Sequence, residues 1–322
     1  MRIVSLVPSG TEIVGQLGLC GSLVGRSHAC DHPPGVLTVP TLTGQPIGVD
    51  TGFCETDEQV GGFVARPAGL YTLDTQQLVD LKPDVVLLPG AGGDVALEAQ
   101  SVQAALEALG SRAAVVRLGP RSIEDMLDDV LRVGAACGRE TAAGAVVARL
   151  RGRLFEAMDR VTAFDPYRPV VGFLGWTDPL CVAGDWNVQL IERAGGRHPL
   201  NETVRREADG AASGPQQAQR LAGPAVMVSP EVFAAVGPEF VVVSPCGYGL
   251  ERAAEATRAL WRQEWFRNLP AARNGRVAAV DGSAMFSRPG PRVVDALEFL
   301  VGWLQGRAEV VPAGFPWRVV EG

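Results

Sequence analysis

The 322-residue sequence is poor in aromatic residues (6%), holds only three histidines and contains no run of like charge. A net charge of −7 with no Lys/Arg cluster excludes a protein whose main partner is a phosphate backbone, so nucleic acid is not expected. No apolar stretch reaches the ~20 residues that span a bilayer. The best candidate, Pro224 to Val243, is cut by Pro230, Glu231, Pro238 and Glu239. A soluble chain without membrane insertion is expected. Met1 is followed within two residues by the strand-like run Ile3 to Val7, which leaves no room for a secretory signal. As written the chain reads as cytoplasmic; a true start upstream would place it in the periplasm or cell envelope. The six cysteines (Cys20, Cys30, Cys54, Cys137, Cys181, Cys246) are scattered with no CxxC, so they read as single thiols, not as a disulfide framework or zinc finger. Missing too are a P-loop, GxGxxG, GxSxG, HExxH and any carboxylate pair suited to acid-base work. Catalysis is not expected.

What is present is a repeated strand-then-helix rhythm, with 39 glycines suited to many tight turns. Arg2 to Val7 is a strand, and Ser9-Gly10-Thr11-Glu12 reads as a capping box that opens a helix ending near Gly18. A helix over Asp74–Leu81, a strand over Asp84–Leu88, a helix over Val95–Leu109 and a strand over Ala114–Leu118 follow. From Ser122 to about Val161 the periodicity is helical throughout, either one long helix or two broken near Gly138. It reads as a connector. After Pro166 the rhythm restarts, with strands at Val170–Leu174, Phe240–Val243 and Arg276–Val280 and helices at Val188–Ala194, Leu250–Trp261 and Pro291–Leu304. The expected fold is α/β: two Rossmann-like lobes with parallel sheets, residues 1–121 and 163–322, joined by a connecting helix over 122–162, with a ligand cleft between them. Residues 205–224 read as an irregular insertion, and the tail 308–322 as a segment lying over a surface.

Ligands of open parallel sheets collect where strands end, so the candidate residues are those that follow each strand. His28, Cys30 and His32 alternate and would share one face of an extended segment, so they could converge on a soft or borderline metal. Alternatively they hydrogen-bond a turn held by Pro33-Pro34. Trp176 and Trp186 bracket a loop carrying Asp178 and Asp185, and either tryptophan could cover a large flat ligand or pack in the core; position tips Trp186 toward the cleft. Cys246 ends a strand ahead of a helix, but no histidine lies near it in sequence and a Cys-His pair is disfavoured. The loop Pro89 to Asp94 reads as a tight turn.

Several blocks carry a family resemblance. Arg2-Ile-Val-Ser-Leu-Val-Pro-Ser-Gly-Thr-Glu12, Gly25-Arg-Ser-His-Ala-Cys-Asp-His-Pro-Pro34 and Leu81-Lys-Pro-Asp-Val-Val86 resemble the amino lobe of the cobalamin-binding branch of the class III ABC substrate-binding proteins, the Fe/B12 class. Gly175-Trp-Thr-Asp-Pro179, Ala183-Gly-Asp-Trp186, Ser244 to Arg252 and Asp281 to Arg292 resemble its carboxyl lobe. The resemblance implies a non-enzymatic protein with no required cofactor. Its ligand would be cobalamin or a related corrinoid, or else haem, a siderophore or another metal chelate on the same scaffold; a metal-chelate-processing enzyme is the catalytic alternative. Implied ligand-binding residues are Pro8, Ser9, His28, Cys30, Asp31, His32, Trp176, Trp186, Cys246, Tyr248, Phe286 and Arg288, with His28, Cys30 and His32 able to reach the ligand's cobalt. Receptors of this type present one glutamate per lobe to an ABC permease. Glu231 fits the carboxyl-lobe position; on the amino lobe Gln76 stands at the matching place, with Asp74 and Asp80 beside it. The absent signal favours an internal corrinoid or chelate binder.

Overall fold

The computed structural model describes residues 1–44, 72–90, 102, 106–107, 112–162, 167–206 and 219–322. In the amino lobe, β1 (Ile3–Ser5) leads into helix α1 (Pro8–Gln16), followed by β2 (Leu23–Arg26) and the short antiparallel pair β3 (Thr43–Gly44) and β4 (Thr72–Leu73). Helix α2 (Thr75–Asp80), β5 (Val85–Pro89) and β6 (Ala114–Leu118) complete it. The sheet is fully parallel in the order β2-β1-β5-β6. Ile3, Val4, Val86, Leu87 and Leu88 are wholly buried, the mark of strands covered on both faces. The expected helix over 95–109 lies largely outside the described residues, as do Cys54 and the loop 91–94.

Helix α1 begins one residue before the expected capping box. Pro8 occupies its first turn, where a missing N–H costs nothing, and no side chain caps it. Ser9 and Glu12 are instead buried in the first turns, Glu12 only 3% exposed.

The connector is two helices, α3 (Ile123–Ala136) and α4 (Glu140–Met158), not one. Ser122 and Asp125 form a reciprocal capping box on α3. The break falls at Cys137-Gly138, where Gly138 takes φ +59°, a left-handed stop that glycine adopts without strain. The chain folds back so closely that a Cβ on Gly134 would lie 2.3 Å from that of Ala143.

In the carboxyl lobe come β7 (Val171–Thr177), β8 (Leu180–Val182), helix α5 (Asp185–Arg193), β9 (Val204–Arg206), β10 (Gln219–Leu221), β11 (Val226–Met227) and helix α6 (Pro230–Ala235). They are followed by β12 (Phe240–Val243), helices α7 (Leu250–Trp261), α8 (Glu264–Arg267) and α9 (Pro270–Arg273), β13 (Val277–Val280), helix α10 (Val293–Leu304) and β14 (Trp317–Val319). The main sheet runs β11-β8-β7-β12-β13-β14. The β7-β12-β13 pairings are parallel, while β8 pairs antiparallel with both β7 and β11, and β14 pairs antiparallel with β13, so the parallel-sheet expectation holds for the centre of this sheet. Two other expectations change. The ends of the supposed insertion pair as β9 and β10, and the tail supplies β14 with Phe315 and Val320 buried, because an open edge beside β13 is satisfied by main-chain pairing.

The helical pair joins the lobes. On one side α3 packs against α1 and β6; on the other α4 packs against α10, where Arg153 donates to Glu298 at 2.9 Å and Asp295 at 2.6 Å. A single apolar cluster runs from Ile3 and Leu87 through Val130 and Leu150 to Leu297 and Phe299, so the lobes share a core.

Helix α3 also buries a carboxyl group. Asp129 on α3 is 1% exposed, and burial first of all pushes its carboxyl up to about 6, against the pull of its partner Arg132. The folded state thus holds a proton that the unfolded chain has released. This favours folding below the ordinary carboxyl range, and the contribution is lost as pH rises through about 6. Asp129→Asn should therefore raise the urea midpoint at about pH 7.5 far more than at about pH 4.5; an equal change at both would show that the carboxyl is not protonated on folding.

Candidate functional site

The strand order reverses between β1 and β5 in the first sheet and between β7 and β12 in the second. Such switch points open a crevice at the carboxyl ends of strands. The two carboxyl edges face each other. The loop that leaves β13 reaches the amino lobe, where Arg288 grips Asp31 with both guanidinium nitrogens and Arg292 donates to Glu12 at 2.5 Å. A Cβ on Gly290 would lie 3.3 Å from Ser9, tighter than an ordinary contact, so the loop runs close against α1. Arg121, before α3, reaches Asp185 at the start of α5 at 3.0 Å, and the Ile123 amide donates to Gln189 at 3.0 Å.

Pro8 and Ser9 lie at this junction but are buried, and the Ser9 hydroxyl has no protein partner. Asp31 and Arg288, expected to meet a ligand separately, meet each other. Burial lowers the pKa of Arg288, but Asp31 more than offsets this, so the guanidinium stays charged.

His28, Cys30 and His32 do not converge. The His28 ring Nδ1 and backbone N–H both engage the Thr43 hydroxyl, at 2.7 and 3.0 Å. Cys30 is fully buried against the end of β1 and the first turns of α1, where its sulfur accepts from Thr11 Oγ1 at 2.9 Å and lies 3.7 Å from the Ser5 carbonyl. Burial pushes this thiol up. Among the described residues no group of three His, Cys, Asp or Glu side chains is placed to hold a metal. An alternating pattern shares a face only in a strand; here residues 27–33 follow β2 as a turn, with the Cys30 N–H bonded to the Ser27 carbonyl at 3.1 Å. Burial lowers the pKa of both His28 and His32, helped by Arg26 in the first case and Arg292 in the second.

The tryptophans divide, and the expectation that changes is the one for Trp186. Trp186 is 3% exposed and its indole N–H donates to the Phe286 carbonyl at 3.1 Å. Phe286 is 1% exposed and meets Phe173 edge-on at 5.0 Å. Both belong to the core, and both also line the small cavity at Cys246. Position after a strand did not reveal this because Trp186 lies in the first turn of α5, on the face turned to the sheet. Trp176, at the end of β7, is half-buried. It meets Tyr248 edge-on at 5.2 Å, and the Arg252 guanidinium lies 3.9 Å above the Tyr248 ring. These three form an aromatic shelf at the second switch point. Arg252 was not anticipated; its place four residues after Tyr248, with α7 starting between them, was the available signal.

Cys246 is 8% exposed and lines a cavity of about 40 Å³ beneath the shelf, together with Gly175, Asp185, Asn187, Ser244 and Ser287. Glu231 is exposed in the first turn of α6. Asp74 is exposed as well, but one of its oxygens caps α2 by accepting from the Gln77 N–H at 2.8 Å, and Gln76 donates to Asp80 at 3.0 Å.

Two α/β lobes with a shared core and apposed carboxyl edges define a cleft-type binding protein. The periplasmic binding protein family model matches residues 3–284, and the chain belongs to that family; its class is substrate binding, not catalysis. Solved structures share the fold. A possible iron-binding periplasmic solute-binding protein from Staphylococcus epidermidis is 20% identical with a TM-score of 0.66, over 94% of this chain and 98% of that one. The heme-binding protein RhuT from Roseiflexus sp. RS-1 is 23% identical with a TM-score of 0.65, over 95% and 98%. The vitamin B12 binding protein BtuF of Vibrio cholerae is 20% identical with a TM-score of 0.63, over 96% and 98%. No curated protein matches the chain. No helix among the described residues is long and apolar enough to cross a membrane.

The division of the tryptophans is measurable. Trp186→Ala should cost about 3–5 kcal/mol of unfolding free energy and Trp176→Ala much less. Equal losses in urea titration would make Trp176 a core residue too.

Proposed function

We propose that the chain binds cobalamin or a related corrinoid reversibly between its lobes, for delivery to an ABC permease or for handling inside the cell. The carrying observation is the charge state of the facing edges. Arg288 is matched by Asp31, Arg292 by Glu12 and Arg121 by Asp185, while Arg26 donates to the carbonyls of Ser27, Cys30 and Val39. His28 and His32 are held toward neutrality. Haem propionates or an anionic siderophore need unmatched cations, and these arginines already have their partners. A corrin edge carrying neutral amides needs hydrogen-bonding groups and a flat apolar face, and the Trp176-Tyr248 shelf suits the face. Haem remains the competing ligand on this scaffold.

Exposed Glu231 and Asp74 are the carboxylates we assign to a permease's cations. Removing either should slow association without touching ligand affinity.

Titration with cyanocobalamin, aquocobalamin and hemin tests the reading. Cyanocobalamin should bind with a Kd in roughly the micromolar range or tighter, and Trp176→Ala should weaken it about tenfold. A spectral change with the aquo form alone would mark cobalt ligation by His28 or His32. A Soret shift with hemin and no uptake of either cobalamin would overturn the proposal in favour of haem.

A further inference from the structure

The cavity under the shelf contains more polar capacity than the protein uses. Ser244, the residue after β12, is 1% exposed, and its hydroxyl has no partner. Asn187, in the first turn of α5, donates through Nδ2 to the Phe286 carbonyl at 3.1 Å, while its Oδ1 is buried and has no partner. The amide cannot be turned around to relieve this. Its oxygen would then face the Phe286 carbonyl, which already accepts from Trp186 at 3.1 Å. Both residues line the cavity, and their two unpartnered oxygens, buried just behind its surface, supply one fixed acceptor and one hydroxyl able to donate or accept once a small side-chain shift uncovers them.

Part of its wall is close-packed backbone: a Cβ on Gly184 would fall 2.1 Å from the Ala225 nitrogen. Asp185, also on the wall, takes φ +45°. The cavity lies at the β7/β12 switch point, on the edge that Arg121 joins to the amino lobe through Asp185.

We propose that this cavity is a subsite for one uncharged primary carboxamide arm of the bound ligand. The amide N–H donates to Asn187 Oδ1 and the amide carbonyl accepts from the Ser244 hydroxyl. The volume of about 40 Å³ fits, since each water-sized atom needs about 10–15 Å³ and a carboxamide has three non-hydrogen atoms. A carboxylate of the same shape would have no proton for Asn187 Oδ1 and would set two acceptors against each other, so the subsite rejects hydrolysed arms. The identity of the molecule carrying the arm rests on the corrinoid reading; the amide preference does not.

The test has two separable arms. In solution, saturation-transfer NMR of the wild-type chain should show propionamide binding, with butanone and propionate at least tenfold weaker, and the signal lost in Ser244→Val, which fills the cavity, and reduced in Ser244→Ala. Equal signals from propionamide and butanone, or a propionamide signal unchanged in both variants, would overturn the subsite. In the second arm, wild type should prefer cyanocobalamin over its side-chain monocarboxylic acids, and Ser244→Val should weaken cyanocobalamin at least tenfold. If cyanocobalamin binds wild type and Ser244→Val equally, the subsite is overturned while the corrinoid reading stands. If propionamide enters but no corrinoid binds, the subsite is supported and the corrinoid reading fails.

Discussion

The loop leaving β13 crosses to the other lobe and buries an ion pair there, and the remaining geometry depends on that crossing. Glu12 is nearly inaccessible and Arg292 is largely covered, so removing either partner would leave a charge with little water to solvate it. A pair of this kind adds little net stability against a packed apolar alternative, but it admits only one arrangement of the groups around it. With Arg288 on Asp31 beside it and Gly290 against Ser9, it sets the separation of the two carboxyl edges.

The α3–α4 pair acts in the same direction through apolar burial. Each helix packs on a different lobe, and the sharp turn at Gly138 brings Gly134 against Ala143, so a displacement of one lobe is transmitted through close-packed contacts. A cleft framed in this way recognises its ligand with groups already in place. Little of its binding energy is then spent on ordering. Among the described residues Arg288, Arg292 and Arg121 each meet a carboxylate, and we assign recognition to the shelf and the small polar cavity.

Much of the fold was legible because strands and helices are set by local periodicity. Phe240–Val243 and Leu250–Trp261 fall where the pattern puts them, and Gly138 breaks the connector as a left-handed glycine does. The tail was not legible. Trp317–Val319 becomes a strand only because β13 has a free edge, which is a property of the sheet and not of the segment.

The candidate site was legible as a set of loops but not as a set of contacts. By itself the sequence determined the α/β class, the family blocks and the positions of the strand ends, because these follow from spacing along the chain. Tertiary structure decided which side chains face the cleft. Cys30 is buried against α1, Trp186 and Phe286 enter the core, and Asp31 finds Arg288, a residue 257 positions away. Each outcome depends on what packs across from the residue, and spacing along the chain says nothing about that.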